Sequence, residues 1–151
     1  MVNADADQPY SGRIADGGHR FALRVYFEDT DAGGVVYHAN YIGFMERARS
    51  DMLACAGIDQ RRALEAGDGV YVVAEVNIRY RRPARLGDAL LILSRVGELR
   101  SSAAVIHQRV MRGDELVADA DVRVVFVDAQ GKPRRQPAEW VAAFERLQGV
   151  S

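Results

Sequence analysis

Residues 28–49 read EDTDAGGVVYHANYIGFMERAR, an acidic turn, a Gly33-Gly34 pair and a helix start in immediate succession. Over residues 40–57 the apolar side chains Tyr41, Phe44, Met45, Ala48, Met52 and Cys55 recur every three or four positions, which places them on one helical face. Glu46, Arg47, Arg49, Ser50 and Asp51 fall mainly on the opposite side. The Asn40 side-chain oxygen suits an N-cap, and Gly57 suits a C-terminal stop. A long helix with a single apolar face needs a surface to bury it.

The flanking sequence supplies that surface as strands. Upstream, FALRVYF at residues 21–27 predicts a first strand ending at the acidic turn. Downstream, β-branched segments at 70–81, 89–98, 103–111 and 116–127 predict four more. Turn signals separate them: Pro83 with Gly87-Asp88, then Arg100-Ser101-Ser102, then Arg112-Gly113-Asp114, then Gly131 and Pro133. Their short connections predict an antiparallel meander. Residues 60–69 read as a charged, glycine-containing connection. Trp140, Val141, Phe144 and Leu147, with Pro137 in the first turn, predict a short closing helix.

One strand, a long helix and four strands fit an α+β domain: a five-stranded antiparallel sheet wrapped around one long central helix, with a short C-terminal helix. Residues 19–148 are assigned to this single domain. Residues 1–18, rich in Asp and Ala with a Gly17-Gly18 pair, carry too little apolar surface to offset ordering entropy and are expected to form a flexible N-terminal tail.

At 151 residues, 48% hydrophobic, the chain is sized for one core. A formal net charge of -1, from 20 basic and 21 acidic residues, argues against nucleic acid or an anionic membrane as partner. Cys55 is the one cysteine, so no intrachain disulfide is possible, and no Cys/His spacing resembles a zinc motif. No secretory or membrane-spanning run is present, and a reducing cytoplasmic setting is expected.

The same 28–49 run also carries candidate chemistry. Gly33 and Gly34 let backbone approach a ligand closely, and the helix that follows offers unpaired N–H groups to a developing oxyanion. A carboxylate beside such a cradle can attack a thioester carbonyl or deprotonate the water that does. Asp-x-Asp followed by Gly-Gly is equally an ordinary acidic loop, and spacing alone does not choose between these readings.

Residues 29–41, from Asp29-Thr30-Asp31-Ala32-Gly33-Gly34 to Tyr37-His38-Ala39-Asn40-Tyr41, resemble the signature of the 4-hydroxybenzoyl-CoA thioesterase family of hotdog-fold enzymes, and within it the Tol/Pal-associated branch. The likeness continues through Met45-Glu46-Arg47-Ala48-Arg49 and through residues 80–88 (YRRPARLGD), spanning roughly 21–147. It implies an acyl-CoA thioesterase with no metal and no organic cofactor.

Carried over by position, Asp31 matches the family's catalytic carboxylate, as nucleophile or general base, while Asp29 shapes the turn. His38 matches a histidine of the Tol/Pal branch that assists, with a structural loop hydrogen bond as the bland alternative. Its backbone N–H, with Tyr37 nearby, matches the donor that polarises the thioester carbonyl. Gly33, Gly34, Asn40 and Tyr41 are candidates for the substrate pocket, although a cap and a core aromatic explain the last two equally. Arg100, Arg134 and Arg135 match positions that hold the CoA nucleotide, whereas Arg79, Arg81, Arg82 and Arg85 read as a solvated strand edge. Glu46 reads as solvated or paired with a neighbouring arginine.

His19, His107 and Cys55 have no sequence partner that suggests catalysis, and Cys55 reads as a buried small hydrophobe. The resemblance further implies a homodimer or homotetramer in which subunits share a continuous sheet, with Asp31 of one chain facing residues 76–80 of another. Acyl-carrier-protein thioesters are possible alternative substrates. Two other functions fit less of the pattern: a hotdog dehydratase or hydratase, and a non-catalytic acyl-CoA or acyl-carrier-protein binding module.

Overall fold

In the computed structural model, which describes residues 5–149, the chain runs β1 (Arg13–Ala15), β2 (Gly18–Arg24), a 3-10 turn (Phe27–Asp29), α1 (Asn40–Cys55), α2 (Gln60–Ala66), β3 (Val70–Tyr80), β4 (Ala89–Leu99), β5 (Ala103–Arg112), β6 (Glu115–Val127) and α3 (Ala138–Glu145). The strands form one antiparallel sheet in the order β1-β2-β4-β5-β6-β3. Because side chains alternate along a strand, Ile92, Ile106, Val110 and Val122 all reach the face on which α1 lies. α1 buries Tyr41, Met45, Ala48 and Met52 against them. Burying a side chain of this size contributes about 1.5–3 kcal/mol, so the apolar seam holds the helix far more firmly than helix propensity could. The expected α+β architecture, a sheet wrapped on one long helix, is present.

The sheet has six strands, not the expected five. The extra strand, β1, lies in the stretch expected to be a flexible tail; residues 1–4 of that tail lie outside the described residues. Asp16 (φ 54°) and Gly17 (φ 72°) turn the chain tightly enough for β1 to pair with β2, and Gly12 N–H donates to Asp51 on α1 at 2.9 Å. Backbone pairing and a side-chain anchor thus order a segment whose composition has little apolar surface. β2 begins and ends earlier than the predicted 21–27 strand. Val25 N–H bonds the Asp88 carbonyl at 2.9 Å instead of continuing the ladder, and Phe27–Asp29 coil into the 3-10 turn.

The predicted four-strand meander holds only for β4, β5 and β6. β3 crosses over to pair with β6 and becomes an edge strand. Residues 60–69, expected as a connection, contain α2, because Asp59 accepts a hydrogen bond from Arg62 N–H at 3.0 Å and Gly67 (φ 73°) closes the helix. Ala39, not Asn40, occupies the N-cap position of α1. At the other end Gly57 terminates α1 as expected, with φ 83°.

Arg49 overturns its expected exposed position: it is 6% exposed. Its guanidinium donates to the Gln108 side-chain oxygen at 2.8 Å and pairs with Glu46. Gln108 in turn donates to the Met45 carbonyl and to Ser94 Oγ, both at 3.0 Å. The charge is tolerated under the helix because each of these polar groups finds a partner. Glu46 is accordingly the ion-paired residue expected.

Candidate active site

The loop between β2 and α1 is built by short local bonds. Asp29 shapes it as expected, its carboxylate accepting from Tyr26 N–H at 2.8 Å. The Asp29 carbonyl accepts from Tyr37 N–H at 3.0 Å and from the Asn40 side chain at 2.8 Å, which ties both ends of the loop together. Asp31 N–H donates to Val35 at 2.9 Å and Gly34 N–H returns to Asp31 at 3.0 Å, a tight turn that Gly34 permits with φ 78°. Val36 N–H donates to Ala84 at 2.8 Å, and Val35 bridges to Arg85. The loop is therefore stitched to the turn that joins β3 and β4.

Asp31 stands exposed at the tip of this loop, one of its oxygens accepting from Gly33 N–H at 2.8 Å. A single neutral donor orients the carboxylate and leaves its second oxygen open for chemistry. A side chain at Gly33 would meet that carboxylate at 3.2 Å, so the glycine keeps the approach clear.

Of the two backbone donors expected to polarise a carbonyl, Tyr37 N–H is already committed to Asp29. Among the described residues the N–H groups of His38 and Ala39 have no backbone acceptor. They sit immediately before α1, where the helix's unpaired amides give a partial positive charge. The His38 ring is exposed and packs edge-on against Tyr37 (centroids 4.7 Å apart) and Tyr80 (6.1 Å).

Beside the His38 peptide lies a cleft of ≈ 280 Å³ lined by Val36, His38, Tyr41, Tyr80, Arg81, Arg82 and Pro83. Tyr41 lies on its inner wall, 3% exposed, and burial pushes its phenol above the usual range despite an opposing backbone hydrogen bond at Ala84. Asn40 is held by Asp29 and serves the loop's closure. Tyr80 was not singled out from sequence; its hydroxyl donates to the His38 carbonyl at 3.0 Å. The quoted 80–88 stretch carries it, but only folding shows what it touches.

The arginines expected to hold CoA divide. Arg100, in the β4–β5 turn, pairs with Glu98 at 2.6 Å, and Arg134 donates to the Asp68 carbonyl at 2.8 Å, while Arg135 is exposed. Gln136 joins the two segments by donating to the Arg100 carbonyl at 2.8 Å. Arg79 and Arg81 do not form a free basic edge: both bond Asp119, at 2.7 and 3.0 Å, and hold its carboxyl below the usual range against the opposing effect of burial.

The three residues set aside as non-catalytic all acquire partners in the fold. His107 bonds Asp121 at 2.5 Å on the outer sheet face, and Gly97 leaves room for its ring. His19 is buried in β2, its Nε2 2.6 Å from Asp51. Cys55 is half-buried, and burial, with the Asp51 carboxylate adding to it, pushes its thiol above the usual range, the reverse of an activated nucleophile.

The profile of the thioesterase-like superfamily matches residues 25–146. The chain is 41% identical over 135 residues to an acyl-CoA thioesterase, YbgC, of Haemophilus influenzae, covering 89% of this chain and 99% of that protein. It is 43% identical over 129 residues to the acyl-CoA thioester hydrolase YbgC of Escherichia coli, covering 84% and 96%. A probable thioesterase from Bartonella henselae, solved by crystallography, superposes with a TM-score of 0.75 at 35% identity, covering 80% of this chain and 99% of that one.

Proposed function

The chain belongs to the thioesterase-like superfamily, and from that premise we propose that it hydrolyses acyl-CoA thioesters to the free carboxylic acid and CoA, with Asp31 as the catalytic carboxylate. The observation that carries this reading is the placement of Asp31 on a loop that runs directly into the unbonded His38 and Ala39 amides at the start of α1.

In the water route, Asp31 takes a proton from a water as its hydroxide adds to the thioester carbon. The carbonyl oxygen becomes an oxyanion against His38 N–H, the C–S bond breaks, and the proton passes to the CoA sulfur. In the direct route Asp31 attacks the carbon itself, CoA thiolate leaves, and water then hydrolyses the mixed anhydride. Neither route asks more of the His38 ring than assistance with proton transfer. Gly33 and Gly34 admit the thioester, and the cleft walled by Tyr41 takes the acyl group. Arg100, Arg134 and Arg135 lie at the opposite end of β3 and β4 from the Asp31 loop, so they meet the nucleotide phosphates only at a site whose Asp31 loop comes from another subunit.

Two copies pair along β3. This edge exposes Val72 and Val73, at 42% and 45%, beside unpaired backbone groups, a combination that favours strand addition. A homodimer or homotetramer is the working assembly, in the cytoplasm, where the sole cysteine stays reduced. Among the described residues no helix is long and apolar enough to cross a membrane.

A thiol-release screen of the purified protein across acyl-CoAs and acyl-carrier-protein thioesters tests the proposal. Turnover of at least one acyl-CoA class is expected. Tight acyl-CoA binding with no thiol released would instead make the protein a binding module.

A further inference from the structure

His19, Asp51 and Cys55 are far apart or irregularly spaced in sequence, yet His19 Nε2, an Asp51 oxygen and Cys55 Sγ lie within 4.8 Å of one another. Three elements build the group. β2 supplies His19, 1% exposed; one turn of α1 supplies Asp51 and Cys55 at i and i+4; and the segment entering β1 closes over them. That segment adds two more oxygens, since Ser11 Oγ lies 3.2 Å from Asp51 and 3.8 Å from Cys55 Sγ, and the Gly12 carbonyl lies 3.5 Å from Sγ. Position 12 must be glycine for this approach: a Cβ there would meet the Arg20 carbonyl at 2.2 Å, Asp51 at 2.8 Å and His19 Nε2 at 3.0 Å. The superfamily match begins at residue 25, so it includes Asp51 and Cys55 but not His19 or the closing segment.

We propose that His19, Asp51 and Cys55 form a zinc-type metal site, completed by an oxygen from Ser11 or Gly12 or by a water, which staples the N-terminal segment to β2 and α1. Imidazole, carboxylate and thiolate on a compact tetrahedral frame are the donor set that zinc takes. Zn–S and Zn–O bonds of about 2.3 and 2.0 Å at a tetrahedral angle place sulfur and oxygen about 3.5 Å apart, and Cys55 Sγ already stands 3.5 Å from Asp51 Oδ2. His19 Nε2, at 2.6 Å from the same oxygen, is at hydrogen-bond distance. Loading needs that pair to open by roughly 0.7 Å as the metal replaces the proton between them.

The protons balance. The thiol of Cys55 gives its proton to solvent, Asp51 enters as carboxylate, and the His19 ring proton moves from Nε2 to Nδ1. Nδ1 has no hydrogen-bond partner, so the shifted proton sits on a buried N–H without an acceptor, a cost that the metal bonds must exceed.

Cobalt(II) titration of the metal-stripped full-length protein tests the site without reference to acyl-CoA hydrolysis. Cys55 is the only cysteine, so a thiolate-to-cobalt charge-transfer band can come from nothing else. The expected result is a band that saturates at one equivalent per chain, is abolished by zinc, and is absent in Cys55→Ser. Asp51→Asn should weaken cobalt binding by more than the roughly 10- to 100-fold that loss of an outer partner costs. The melting temperature of the wild-type protein should also rise on adding zinc. Absence of the band in folded wild-type protein, or cobalt affinity unchanged by Asp51→Asn, would overturn the proposal and leave the cluster a hydrogen-bonded knot.

Discussion

The hydroxyl of Tyr80, the last residue of β3, donates a 3.0 Å hydrogen bond to the carbonyl oxygen of His38, the residue whose own N–H is the proposed oxyanion donor. A strand at the edge of the sheet thereby fixes the peptide that follows the proposed donor. Removing the hydroxyl should leave the fold intact and loosen that peptide. For Tyr80→Phe we expect kcat to fall several-fold with KM little changed, at an unaltered melting temperature, measured by thiol release and thermal unfolding. A drop in stability with kcat retained would assign Tyr80 to folding alone.

His38 offers two groups, and substitution separates them. His38→Ala keeps the backbone N–H and loses the ring, so it should retain more activity than a variant that lacks the Asp31 carboxylate. Parallel steady-state assays of the two variants on one acyl-CoA check the order. Equal losses would give the imidazole a full part in proton transfer.

Arg49 tests the buried polar network. Arg49→Ala leaves the Gln108 oxygen without its 2.8 Å donor under α1, an unsatisfied buried group worth about 1–3 kcal/mol. Chemical denaturation should show that loss as a lower midpoint. An unchanged midpoint would mean that water replaces the guanidinium.

These residues also show what could be read before folding. The 3.6-residue rhythm of Tyr41, Met45, Ala48 and Met52 made α1 and its buried face legible, because periodicity reports which side meets a core. The same rhythm gives Arg49 the wrong side, since a charge is buried only where partners such as Gln108 and Glu46 converge from elsewhere. Strand alternation reveals faces, not neighbours, so β3 looked like part of a meander although it pairs with β6. Asp31 was legible as part of a motif. That Tyr37 N–H is spent on Asp29, and that Tyr80 reaches His38, depends on loop geometry that composition does not encode. Asp51 likewise read as solvated surface until β1 and His19 closed over it.

Acid sensitivity should trace in part to Asp88, which caps Arg85 N–H at 2.8 Å and pairs with Arg112 at 2.9 Å. The Arg85 amide first, then Arg112, hold its carboxyl below its ordinary 3.8, with burial weakly opposing. A carboxyl depressed by folding contributes stability that is fully present above its unfolded pKa and is lost as pH falls through the folded one. Wild type should therefore lose more stability than Asp88→Asn between neutral pH and pH values below 3.8, by about 1 kcal/mol or less for a partly solvated pair. Parallel acid titrations of the melting temperature give the comparison. Identical slopes would place the acid sensitivity elsewhere.

The most direct test of the account is thiol release by Asp31→Asn, which keeps the size of the side chain and an oxygen able to accept the Gly33 N–H bond. The variant should fold and melt like wild type and retain acyl-CoA binding, while kcat drops by about 10³-fold or more, as expected when the group that attacks or activates water is removed. A folded Asp31→Asn protein that cleaves acyl-CoA at the wild-type rate would contradict the assignment of Asp31.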